Sequence, residues 1–222
     1  MTDALAVRIA RYALPIGVLA LVVCGPLLWF VPRIPVPDAA SAKPLLRFTY
    51  AIAVAAWALQ LQLAGGIAPI VRAVAAREAP SQLGALWLGL AGLVRAVLPT
   101  ALVVAAIAIG ALALVVPALC LVVLLALATA SPAAGLPAPL VDSIRVVRAH
   151  LRPIAIVVAA IVIVDVGLAV AAQLAIGPAL SKKPTVAELG AFRELARVVA
   201  IGVAIVSPFA ATVLAALRAR YD

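Results

Sequence analysis

Charge is scarce in this chain, and negative charge is scarcer still. Charged residues make up 11% of the sequence, with 8 Asp and Glu against 17 Lys and Arg. Soluble domains carry roughly 25% charged residues, so the polar shell of an ordinary water-soluble protein is missing. Histidine occurs once, at His150, which excludes a multi-histidine zinc site, and no neighbouring set of Cys, Asp and Glu completes one. The two cysteines, Cys24 and Cys120, both lie in apolar segments and supply no disulfide framework. The sequence has no glycine-rich phosphate loop. Its serines, at 41, 81, 131, 143, 181 and 207, stand in no nucleophile motif, and one histidine leaves little material for a triad. The acids are scattered too widely to pair for general acid and base work. No catalytic residue, metal or cofactor is therefore assigned, and the chain is expected to be non-enzymatic.

What the chain has is long apolar runs. Hydrophobic residues are 68% of the 222, and several runs approach or exceed the length needed to cross about 30 Å of hydrocarbon. This predicts an all-α, polytopic membrane helix bundle forming a single transmembrane domain, and the length of the runs excludes an outer-membrane barrel. The net charge of +9 comes from basic residues set mainly between the runs. They read as interfacial anchors and topology signals and not as a nucleic-acid surface.

The runs predict six spans, at about 12–31, 45–65, 98–113, 115–133, 153–176 and 196–217, with interfacial segments at about 70–97 and 138–152. Arg8 and Arg11 before the first run imitate a signal peptide, but the length of that run and the interfacial Trp29 favour a retained span. Residues 98–134 are almost uninterrupted apolar sequence, roughly 56 Å as one helix, so two short spans joined near Gly110–Pro117 fit better than one. Leu140, Ile144, Val147 and Leu151 fall near one face of the second interfacial segment, with Asp142, Arg145, Arg148 and Arg152 elsewhere. Thr185 and Glu188 match a capping box, which starts the last helix near Val186.

Six spans place Arg8, Arg11, Arg72, Arg77, Arg95, Arg145, Arg148, Arg152, Arg218 and Arg220 on the side of both termini. Arg33, Lys43, Arg47, Lys182, Lys183, Arg193 and Arg197 fall on the other. The excess favours both termini in the cytoplasm. A five-span alternative, with one helix over 98–134, divides the bases almost evenly.

The intramembrane polar candidates are Asp165, Gln60, Gln62 and Gln173. A carboxylate at membrane depth is costly and calls for a partner, a cavity or a bundle interior. Asp165 is expected to pair with an arginine of this chain or a neighbour, or alternatively to bind a proton or cation. The glutamines are expected to satisfy their amides by internal hydrogen bonds. Arg72, Arg77, Arg95, Arg145, Arg148 and Arg152 are the candidate lipid or partner contacts at the interface. Gly65, Gly66, Gly84, Gly89 and Gly92, with alanine-rich faces, permit close helix approach.

The segments VRAVAAREAPSQLGALWLGLAGLVRAVLP, GALALVVPALCLVVLLALATASPAA, PLVDSIRVVRAHLRP and SPFAATVLAALRARYD together resemble a group of bacterial membrane proteins. That group is related to the membrane domain of glycerophosphodiester phosphodiesterases. The resemblance covers about residues 60–218 and implies a six-helix core in a bacterial inner membrane. No phosphodiesterase catalytic domain is present in these residues, so it carries an architecture and no activity. Two functions are expected from the whole. One is an accessory or scaffold subunit packed against a membrane-protein partner or its own copies, with bound phospholipid. The other is a small transporter or lipid-handling protein that uses Asp165 and the basic segment Arg145–Arg152.

Overall fold

The computed structural model describes residues 2–30, 43–113, 115–132, 138–176 and 186–221. These residues form α1 (Thr2–Ala10), α2 (Ala13–Phe30), α3 (Lys43–Ala75), α4 (Gln82–Ala113), α5 (Val115–Leu125), α6 (Ala138–Ala149), α7 (Leu151–Ile176) and α8 (Val186–Tyr221). Backbone that crosses hydrocarbon must satisfy its own polar groups, and helices do so within one segment. Among the described residues, four helices are long and apolar enough to cross a membrane, in the segments 56–75, 82–109, 151–168 and 197–221. The shorter α2 is apolar along its whole length.

The helix bounds depart from the expected spans in two regions. Among the described residues the expected span 115–133 is helical only over the 11 residues of α5, too few to cross a membrane as a helix, and the segment 70–97 is divided between α3 and α4. Residues 70–75 finish α3, while 82–97 and 98–113 form one continuous helix, α4. The polar residues that suggested a separate helix at 70–97 are used at the ends of these two. Ser81 caps α4: its hydroxyl accepts from the amide of Gly84 at 3.1 Å, and its carbonyl accepts from Ala85 at 2.8 Å. At the end of α3, Arg77 takes a left-handed backbone with φ of 64°. The Glu78 amide then reaches back to the Ala73 carbonyl at 2.9 Å, and the Arg77 amide to Val74 at 3.2 Å. This pair of bonds is a Schellman closure with arginine where glycine is usual.

Residue 114, between α4 and α5 and within the expected join near Gly110–Pro117, lies outside the described residues. These two helices pack on each other. The residues after α5 return to the end from which α4 started, because Arg72, in the last turn of α3, donates to the Ala130 carbonyl at 3.2 Å. Thr185 of the expected capping box lies outside the described residues, and α8 begins at Val186.

α3 packs most extensively on α8 and α4, and α7 packs chiefly on α8. The core runs along α3 through Leu61, Leu63, Ile67, Ile70 and Val71, and meets Leu127 after α5, Ile154 of α7 and Leu214 of α8. Prolines lie inside α2, α3, α4 and α8. At Pro208, side chains supply donors within the helix: Ser207 donates to the Val203 carbonyl at 2.6 Å and Thr212 to the Pro208 carbonyl at 2.7 Å.

Candidate functional site: an intramembrane amide–carboxylate pair and an arginine-rich end

Three polar arrangements stand out, one deep in the bundle, one at a helix crossing and one at the end that gathers the basic residues. The deep one joins α3 to α7. Gln60 donates its Nε2 amide to both oxygens of Asp165, each at 2.9 Å. Ile154, Val158, Ile161, Asp165 and Leu168 recur at heptad spacing along α7, and the first three are buried in the bundle. Asp165 is half-buried and continues this inward seam. It lies 14 residues from the start of α7, and Gln60 lies 15 from the end of α3. Each distance is roughly 21–23 Å of helix, so the pair sits at matching depth. Among the described residues its partner is thus an amide of the same chain. Gln60 itself is fully buried, and its Oε1 has no hydrogen-bond partner among the described residues.

The second arrangement holds α3 against α4. Gln62 donates to the Leu93 carbonyl at 2.6 Å, and glycines line the crossing beside it. A methyl added at Gly65 would strike Ala96 Cβ, and one at Gly92 would meet the Gly65 carbonyl oxygen at 2.6 Å. Methyls at Gly66 and Gly89 would strike Leu93 and Leu19, and each lies 3.3 Å from the other glycine's carbonyl oxygen. The two backbones therefore approach as closely as missing side chains allow. Gly84 stands apart, since the nearest atom to its added methyl is the hydroxyl of Ser81 at 3.2 Å.

The third arrangement centres on Asp142 of α6. It accepts from Arg218 of α8 at 2.6 Å, from Arg145 at 3.1 Å and from the Ser131 hydroxyl. Arg218 is 3% exposed. This carboxylate therefore ties α6, the segment after α5 and the end of α8 together, with a largely desolvated ion pair to Arg218. Nearby, His150 stacks on Tyr221 with ring centroids 4.1 Å apart, and Ser143 donates to Leu124 at 2.8 Å. Arg8 donates to the Val74 carbonyl at 3.4 Å, and the Tyr12 hydroxyl to Pro80 at 3.1 Å.

The residues expected at functional positions thus separate. Asp165 and Gln60 come together, Gln62 serves the α3–α4 crossing, and the side chain of Gln173 lies outside the described ones. Arg72 and Arg145 join the arginine-rich end through Ala130 and Asp142. Arg77, Arg95, Arg148 and Arg152 are exposed. The Asp142–Arg218 pair was not among them. Its one signal was that Asp142 is the sole acid between Glu78 and Asp165, in a helix rich in arginine. Cys24 and Cys120 are both free, and among the described residues no three His, Cys, Asp or Glu side chains gather as metal ligands. No family model, no curated protein and no solved structure matches this chain.

Proposed function

We propose that this chain is a non-enzymatic accessory or scaffold subunit that packs through α7 against a transmembrane helix of another membrane protein. It resides in a bacterial inner membrane, with six spans and both termini in the cytoplasm. The observation that carries this reading is how the glycines are distributed. Those of the α3–α4 crossing, and Gly202 of α8 beneath Leu168, are filled by neighbours within the chain. Gly167, on α7 at membrane depth, has nothing within 4 Å of the position its methyl would take, as is also true of Gly17 and Gly25 on the shorter α2. With Ala171 it forms a small-xxx-small pair, and both are exposed. Such pairs let a second helix approach closely by van der Waals packing where hydrophobic burial gives no drive.

The Gln60–Asp165 pair fits a supporting role in this reading. It turns the one carboxylate of α7 toward the bundle and leaves the outer face apolar, with Ile163, Val166, Val170 and Leu174 exposed. The inward hydrogen bonds favour a tether for α7 over an open ion path.

The test is extraction of the tagged full chain from its native membrane in mild detergent, with mass spectrometry and particle sizing. A membrane protein recovered at fixed stoichiometry is the expected result. A lone monomer with bound lipid would overturn the subunit reading and turn attention to lipid handling.

A further inference from the structure

Beside the Schellman turn, at the arginine-rich end, lies a groove of about 300 Å³ lined by Pro69, Arg72, Ala73, Ala76, Glu78 and Leu88. Its depth in the membrane follows from the helices that make it. The apolar segment of α3 ends at Ala75 and that of α4 begins at Gln82. The mouth therefore stands where hydrocarbon gives way to headgroups, with Leu88, 40% exposed, on the α4 wall.

Two opposite charges line this small volume, and local backbone chemistry places both. Arg72 is oriented by its bond to the Ala130 carbonyl. Glu78 is carried back over the last turn of α3 by the left-handed Arg77 and by its own amide bond to Ala73. Among the described residues Glu78 makes no ion pair, and its side chain is exposed at the groove. We propose that this groove binds the headgroup of a zwitterionic phospholipid carrying a primary ammonium. The phosphate lies on Arg72, the ammonium on Glu78, and the acyl chains run past Leu88 into the bilayer.

The chemistry discriminates among headgroups. A purely anionic lipid would find Arg72 but would be repelled by Glu78. A primary ammonium offers three N–H donors to the carboxylate. A quaternary ammonium offers none and relies on aromatic faces, and no aromatic residue lines this groove. The volume is at the small end of ligand pockets and suits a headgroup alone.

The test uses the full chain reconstituted in vesicles of equal phosphatidylethanolamine, phosphatidylcholine and phosphatidylglycerol. Mild detergent extraction and mass spectrometry then measure the lipid that stays bound. The wild type should retain phosphatidylethanolamine about threefold to fivefold over each of the others, the scale of one partly exposed charge pair. Glu78→Gln should abolish that preference and raise phosphatidylglycerol, while Arg72→Gln should lower retention of all three. Arg72 also holds Ala130, so the exposed Glu78 variant decides the matter if Arg72→Gln fails to fold. Retention unchanged by Glu78→Gln, enrichment of phosphatidylglycerol by the wild type, or no retained lipid would each overturn the proposal. These outcomes do not depend on whether a protein partner is found.

Discussion

α3 and α7 are both long and apolar, yet the bundle treats them in opposite ways. Of the apolar segment 56–75 of α3, 67% is buried within the chain, against 17% of 151–168 in α7. α3 meets α4 backbone to backbone over Gly65, Gly66, Gly89 and Gly92, whereas Gly167 of α7 faces open space. The α3 segment is the less apolar of the two, carrying Gln60, Gln62 and Arg72, although both are rich in alanine. The difference lies in which small residues already have a neighbour. In hydrocarbon, lipid tails are as apolar as a helix face, so close packing distinguishes a protein contact from a lipid contact. By that measure α3 has satisfied its surface inside this chain, and α7 has kept most of its own for something else.

The sharpest way to break this comparison is to add a methyl at the crossing. Gly92→Ala would set Cβ against the Gly65 carbonyl oxygen, a backbone atom that cannot swing aside. Thermal unfolding in detergent should show a loss of about 3 kcal/mol or somewhat more, the upper range of overpacking. Wild-type stability in that variant would mean the two helices do not cross as closely as described.

A second effect concerns how α7 is held. Gln60→Leu leaves Asp165 without its amide partner and should cost about 1–3 kcal/mol. The double variant Gln60→Leu with Asp165→Leu should recover most of that loss, because removing both partners of a buried bond is nearly neutral. If the double variant were as unstable as the single one, the pair would not be the tether of α7.

The loop that joins α3 to α4 gives a gain. Arg77 holds a left-handed backbone, which costs an L-residue roughly 1–2 kcal/mol. Arg77→Gly should therefore raise stability by about 1 kcal/mol in the same assay. No gain would indicate that the arginine side chain offsets the backbone cost.

Much of this architecture was legible in the sequence, for physical reasons specific to each element. Runs of apolar residues located α2 and α7 closely, while Thr185 of the expected capping box lies outside the described residues. Gly65, Gly66, Gly89 and Gly92 stood out as sites of close approach, but their spacing could not reveal that they face one another. Residues 82–97 looked interfacial because polar side chains interrupt them. In the structure Ser81 is a cap, and Arg95 is an exposed residue on a continuous helix. The partner of Asp165 was hidden because α7 is apolar all round, which leaves no periodic contrast to show which face turns inward. The Asp142–Arg218 pair spans 76 residues, beyond any local pattern.

The smallest effect on the fold is also the most direct test of the central claim, that α7 is kept open for a partner helix. Gly167→Leu should leave the unfolding free energy of the isolated chain within about 0.5 kcal/mol of wild type, since the added side chain meets open space. Extracted from its native membrane, the same variant should lose the co-purifying partner that the wild type retains. Retention of that partner at full stoichiometry would contradict the account, and so would collapse of the bundle itself.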